Sequence, residues 1–250
     1  RRTRLLYLIT LAEHGGAQSQ VRHLLRGLRD RFELILATGH EGFLTQEARK
    51  LGVRVFTLPS LVRPITPHKD CLALWQIWCL LRRVRPDLVH IHSSKAGILG
   101  RLAARFAGIP AVFTAHGWAF ADGVRWNRRL VAIPAERVAG WCSSRIITVC
   151  EADRALALRY RVGGADRLVT VHNGIYDNPW RAQPARGSEP RVVMVARFAP
   201  PKDHVLLLRA LKDVNLPFRV LFVGDGPERA RVERQAELLG LGGRTGFLGT

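Results

Sequence analysis

Arg4-Leu5-Leu6-Tyr7-Leu8-Ile9-Thr10 runs through Glu13-His14-Gly15-Gly16-Ala17 into a stretch where Val21, Leu24, Leu25 and Leu28 recur at helical spacing. The first run is short and apolar, which predicts a buried strand over 4–10. The second predicts a helix over about 18–29. A buried strand that feeds a helix through a glycine turn is half of a βαβ unit, the building block of parallel sheets.

Working outward, the same alternation repeats. Strands are expected at 32–38, 53–58, 88–91, 111–114, 145–149 and 168–171, and helices at 70–84, 95–107, 126–141 and 151–160. Arg85-Pro86 stops the first of these later helices, because the residue before proline avoids the helical region. Strands separated by helices imply an α/β fold with a parallel sheet covered on both faces. Pro179, Pro184, Gly187 and Pro190 then interrupt the pattern with linker composition. It restarts with strands at 191–196 and 218–223 and helices at 205–211 and 227–239. The expected organisation is a first domain over 1–177, a linker over 178–190 and a partial second domain over 191–250. A further strand is beginning at Phe247-Leu248-Gly249-Thr250, and two parallel strands cannot close a core, so the second domain is expected to be incomplete. The chain opens on Arg1 without an initiator Met, so its start is expected to be trimmed.

Of 250 residues, 47% are hydrophobic and 24% charged, an ordinary globular balance that argues against wholesale disorder. The net charge is +19, carried by 34 Arg and 5 Lys. Such a field attracts phosphates, nucleic acid or an anionic membrane surface, although a compositional bias toward Arg produces the same total. The basic residues are scattered, with short clusters at 82–85 and 125–129, and total charge alone makes no case for nucleic acid. No apolar run reaches the 18 residues a membrane span needs. Cys71, Cys79, Cys142 and Cys150 form no Cys-x-x-Cys pair and read as structural thiols in a reducing compartment.

Ligands of open parallel sheets bind at the carboxyl ends of strands. The unusual residues gather there. Gly15 and Gly16 let backbone approach a ligand at a helix N-terminus, or simply make a tight turn. His90 and His92 share one face of a strand; a metal would need a third ligand, and none is evident, so no metal is expected. His116 follows the strand at 111–114. Arg197 follows the strand at 191–196, and Lys202 lies five residues on, before a helix. Two cations there suit a pyrophosphate, or are two solvated surface charges. Gly224-Asp225-Gly226-Pro227 lacks the third glycine of a dinucleotide fingerprint.

Val193-Met194-Val195-Ala196-Arg197-Phe198-Ala199-Pro200-Pro201-Lys202 and Phe222-Val223-Gly224-Asp225-Gly226-Pro227 resemble the donor domain of glycosyltransferase family 4. Glu13-His14-Gly15-Gly16-Ala17, Thr114-Ala115-His116-Gly117 and Asn173-Gly174-Ile175 are similar to that family's N-terminal domain. The resemblance implies a GT-B fold of two Rossmann-like domains facing a cleft, the N-terminal one on the acceptor side and the C-terminal one binding the donor. It implies a hexosyltransferase that takes its sugar from a nucleotide-diphosphate donor, with retention, in cell-surface polysaccharide synthesis. Arg197 and Lys202 would neutralise the leaving pyrophosphate, and His116 would contact the donor sugar. Gly15, Gly16, Asn173, Gly174, Gly224, Asp225 and Gly226 would line the donor. No cofactor is implied beyond the donor substrate. The acceptor would be a glycan or polyprenyl-linked, the location cytoplasmic or peripheral on the inner face of the plasma membrane, with no nucleic-acid partner. The helix at 70–85, with two Trp and trailing Arg residues, would touch that surface unless its tryptophans are core.

Three features depart from the family pattern. Its Glu-x7-Glu pair would fall beyond residue 250, Ala196 replaces the usual glycine, and Tyr176 interrupts Asn173-Gly174-Ile175-Asp177. A nucleotide-sugar epimerase, or a binding fragment without turnover, remain the alternatives.

Overall fold

The computed structural model describes residues 2–177, 179, 181 and 189–249. The expected linker therefore lies mostly outside the described residues. The chain divides into two compact units, Arg1–Asp177 and Asn178–Thr250.

The first unit is a seven-stranded sheet in which every pairing is parallel. Its strands are β1 (Arg4–Ile9), β2 (Glu33–Thr38), β3 (Arg54–Thr57), β4 (Leu88–His92), β5 (Ala111–Ala115), β6 (Arg145–Thr148) and β7 (Leu168–Thr170). The spatial order is β3-β2-β1-β4-β5-β6-β7. Strand order reverses at β1, so the crevice between the carboxyl ends of β1 and β4 is the topological switch point of the sheet. The strands are apolar on both sides because both faces are covered. Leu5, Tyr7 and Ile9 point into one core with residues of α1 (Gly16–Leu28) and α2 (Phe43–Lys50). Leu6 and Leu8 point into the other, with residues of α3 (Pro67–Val84), α4 (Ser94–Ala107) and α6 (Glu151–Arg159); α5 (Trp126–Trp141) packs in this layer against α4.

Inside that layer Arg101 of α4 is fully buried. Its Nη2 lies 2.5 Å from Glu136 of α5, its Nε donates to the Gly97 carbonyl at 2.6 Å, and its guanidinium sits 4.1 Å from the Phe113 ring centroid. Removing either partner of such a pair leaves an uncompensated buried charge.

The sequence reading missed α2. Only Leu44, Thr45 and Ala48 of its eight residues are buried, too little periodicity to register, and its start is set by Thr45 Oγ1 accepting from the Gly42 amide.

The second unit holds a parallel sheet of β8 (Arg191–Val195), β9 (Arg219–Val223) and β10 (Thr245–Phe247), in the order β10-β9-β8. The helices α7 (His204–Lys212) and α8 (Arg229–Leu238) cover the face that carries Met194, Val220 and Phe222. Val193 and Val195, on the opposite face, stand 54% and 76% exposed.

Candidate functional site

At the switch point two helices begin together. Gly15 is the N-cap of α1 and Ser93 that of α4, and neither side chain caps its own helix. Gly15 has extended backbone, and a Cβ on Gly16 would meet nothing within 4 Å, so the start of α1 faces open space. The Ser93 hydroxyl is taken by Thr10, at 2.9 Å from its Oγ1 and 3.2 Å from its amide, and Thr10 Oγ1 accepts from the Ala96 amide. Ser93 itself sits at φ +68°, a costly conformation for a residue with a Cβ. Thr10 thus caps the first turn of α4, while the first turn of α1 has no side-chain cap, and free amides at a helix N-terminus favour an anion or a polar ligand group. Lys95 does not contribute a free charge, because it pairs with Asp70 at 2.5 Å and donates to the Pro64 carbonyl.

His116 stands beside this crevice, one residue past β5. Its Nε2 lies 2.9 Å from Nδ1 of fully buried His92, while His90 Nε2 lies 2.7 Å from Thr114 Oγ1. Tyr7 packs its ring against both His90 and His92. Burial, with a smaller contribution from His116, pushes His90 from its ordinary 6.5 to about 4. Burial holds His92 well below the ordinary value and lowers His116 as well. The cluster is therefore neutral at pH 7. His92 Nε2 is buried with no partner among the described residues. An orphaned buried N–H is rarer than an unmet acceptor, so the proton of His92 belongs on Nδ1, donating to His116. His116 then carries its own proton on Nδ1, free to donate to a ligand. No group of three His, Cys, Asp or Glu side chains among the described residues is placed to hold a metal ion.

In the second unit Arg197 lies two residues past β8. Both it and Lys202 are exposed, and neither side chain has a hydrogen-bonded or ion-paired partner among the described residues. The loop that carries Arg197 is fixed on both sides. The Ala196 amide donates to the Val223 carbonyl and the Phe198 amide to the Asp225 carbonyl, each at 3.0 Å. Phe198 is buried and stacks on His204 with ring centroids 4.1 Å apart. Gly224 and Gly226 make this close approach possible. At φ +143° and +156° they occupy backbone that other residues rarely adopt. A Cβ on them would fall 2.2 Å from the Ala196 carbonyl oxygen and 2.5 Å from that of Phe198. The packing of their own loop therefore accounts for both glycines. Asp225 is engaged too, accepting from the Gly226 amide at 2.7 Å. Lys202 precedes Asp203, which caps α7 by accepting from the Leu206 amide at 2.9 Å.

The first unit's sheet thus brings Gly15, Gly16 and His116 to one edge. Asn173 and Gly174 are exposed beyond β7, at the far side of that sheet. Their segment returns to α1, where Tyr176 donates to the His23 carbonyl at 3.3 Å, stacks on the His23 ring and lies under the Arg26 guanidinium. The tyrosine that interrupts the family's pattern is an anchor of this segment. Sequence reasoning also missed Tyr7, Thr10 and Ser93. Tyr7 sits inside an apolar run, and nothing in the local pattern marks a serine held at positive φ.

Residues 15–174 match the family model for a glycosyl transferase 4-like domain, and residues 178–250 match that for glycosyl transferases group 1. An Escherichia coli UDP-Gal:alpha-D-GlcNAc-diphosphoundecaprenol alpha-1,3-galactosyltransferase is 35% identical over 147 residues, covering 58% of this chain and 38% of that protein. A 2-deoxystreptamine N-acetyl-D-glucosaminyltransferase from Streptomyces fradiae is 30% identical, covering 94% of this chain and 65% of that protein. The chain therefore spans less than two thirds of either relative. The crystal structure of Anabaena HepE in complex with UDP and glucose superposes with a TM-score of 0.78 at 20% identity, over 99% of this chain and 69% of that one, a likeness of fold. The architecture is the expected α/β, GT-B type, built of Rossmann-like parallel-sheet units. With one family model matched along most of the first unit and another along the second, the chain belongs to the glycosyl transferase 4-like family, joined to a group 1 domain.

Proposed function

We propose that the full-length protein moves a hexosyl group from a nucleotide-diphosphate sugar to a glycan or polyprenyl-linked acceptor, with retention, in cell-surface polysaccharide synthesis. The observation that carries this reading is the pair Arg197 and Lys202, exposed and unpaired among the described residues at the carboxyl end of β8. Two cations without a carboxylate partner, beside a loop fixed by backbone hydrogen bonds, suit a diphosphate. They would offset the charge that develops on the leaving group, the kind of electrostatic stabilisation that contributes most to such reactions.

In this reading the second unit binds the donor, with Gly224, Asp225 and Gly226 shaping the loop beside it, and the first unit binds the acceptor. The uncapped start of α1 at Gly15 and Gly16 receives phosphate or sugar oxygens. His116 offers its Nδ1 proton to the donor sugar, and Asn173 and Gly174 line the approach. Neither a metal nor a further cofactor is invoked. The lipid-linked acceptor is suggested by the name of the E. coli relative. No helix among the described residues is long and apolar enough to cross a membrane. Peripheral attachment to the cytoplasmic face is also part of the proposal, supported by exposed Trp75 and Trp78 on α3 beside Arg82 and Arg83.

The test is turnover by the full-length protein with Arg197→Ala and Lys202→Ala. Each loses a charge-assisted contact worth about 2 kcal/mol or more, a fall of roughly 30-fold. Turnover within about threefold of the parent would remove the phosphate assignment. Donor incubated without acceptor separates transfer from epimerisation, because only an epimerase returns an altered sugar still attached to its nucleotide.

A further inference from the structure

Helix α5 buries Glu136, Ala139 and Gly140 on its inner side, where Glu136 meets Arg101 of α4 and Gly140 faces the Val162 backbone. Its outer side carries Trp126 at 75% exposure, Leu130 at 63%, Val131 at 61%, Val138 at 50% and Trp141 at 77%. At about 100° per residue these five, with exposed Pro134, fall within an arc of roughly 140° that also takes in Asn127 and Arg137. They make one stripe about 24 Å long, with a tryptophan at each end. The apolar face of a helix is ordinarily covered. Here nothing among the described residues covers the outer stripe.

Arg125 and Arg128 are exposed beside the N-terminal end of the stripe, and Arg137, which lies within the arc, donates to the Tyr160 carbonyl at 2.6 Å. Beside Trp141 lies a cavity of about 580 Å³ lined by Arg105, Arg145 and Arg167, with Asp166 its one carboxylate. Phe106, next along the chain from Arg105, is 69% exposed.

We infer that α5 lies flat on an anionic lipid surface, its outer stripe sunk to the depth of the headgroups and its arginines on the lipid phosphates. This deepens the membrane contact in the proposed function and moves its main site from α3 to α5. Three features select a bilayer as the occupant. Tryptophans at both ends of an exposed apolar stripe suit the headgroup level, where an aromatic body meets fat and its N–H meets water. Basic residues along the flanks of such a helix are the pattern of interfacial helices. A second copy of the same face would set arginine against arginine in a chain of net charge +19, which opposes self-association, whereas anionic lipid complements the charge.

The test is co-sedimentation of this chain with vesicles of phosphatidylcholine alone and of phosphatidylcholine with phosphatidylglycerol. The parent is expected to bind the anionic vesicles, to shift its tryptophan emission to the blue, and to lose binding as salt rises. The pairs Trp126→Ser/Trp141→Ser and Arg125→Glu/Arg128→Glu are each expected to weaken that binding tenfold or more. Their thermal unfolding should be unchanged, because all four side chains are exposed. The α3 pair Trp75→Ser/Trp78→Ser should change binding by less than threefold. Loss of binding in the α3 pair alone, parental binding in both α5 pairs, or a parent dimer that the α5 pairs split without affecting lipid binding would each overturn the inference. Nucleotide-sugar binding by the full-length protein, measured by calorimetry in the same variants, reports separately on the transferase reading.

Discussion

The two candidate half-sites handle charge in opposite ways. At the ends of β4 and β5 the titratable groups are neutral and bonded among themselves, His92 to His116 and His90 to Thr114. Past β8, Arg197 and Lys202 remain exposed and unpaired among the described residues, while the backbone around them is tied down. A buried imidazole network fixes the direction of a hydrogen bond and gives up charge. An exposed cation keeps its charge but is screened by water, and gains strength only when a ligand excludes that water. The first arrangement suits recognition of neutral hydroxyls, the second capture of an anion.

The largest effect that would break this comparison lies in the loop beneath Arg197. Gly224→Ala puts a Cβ where the Ala196 carbonyl now sits, at a φ that alanine resists. We expect it to destabilise the second unit by about 3 kcal/mol or more. Hydrogen exchange should quicken in β8, β9 and β10 while β1 and β4 keep their protection. Unchanged exchange in β8 would mean that the loop is not what positions the arginine.

Next in size is acid sensitivity of the first unit. The folded value of His90 is depressed, so between about 4 and 6.5 the unfolded chain holds a proton that the fold does not. The stability from keeping the ring neutral is complete above about 6.5 and is lost as pH falls toward 4. The slope is about 1.4 kcal/mol per pH unit for each such histidine. Denaturant unfolding of this chain across that range should show it, and His90→Phe should remove part of it. A flat acid limb would mean that the cluster is charged, or open to water, in the fold.

The smallest effect sharpens the other side. Arg197→Lys keeps the charge but loses the planar fork, so nucleoside diphosphate binding by the full-length protein should weaken by only about three- to tenfold. A loss as large as that of Arg197→Ala would show that geometry, more than charge, holds the anion.

Much of this was legible in the chain. The apolar runs gave the strands because both sheet faces of the first unit are covered, and the residues placed after those runs stand at strand ends for the same topological reason. What was not legible depends on partners distant in sequence. The His-x-His pair shows its spacing in the sequence, but not that Thr114 on the next strand and His116 just past it each engage one of its rings. Gly224 and Gly226 read as donor-lining residues, and that the carbonyls of Ala196 and Phe198 lie beneath them could not be read from the sequence. The tryptophans of α3 could be core or surface in the sequence, and only the packing of the helix shows Trp75 and Trp78 to be exposed.

The buried Arg101 has a mechanical consequence. Its guanidinium is clasped by Glu136 of α5, donates through Nε to the Gly97 carbonyl of α4 and lies over the Phe113 ring of β5. Peeling α5 outward would strand a cation in the interior, so this pair opposes its detachment. A load on the outer surface of α5 therefore bears, through this rivet, on Phe113 of the strand that leads to His116.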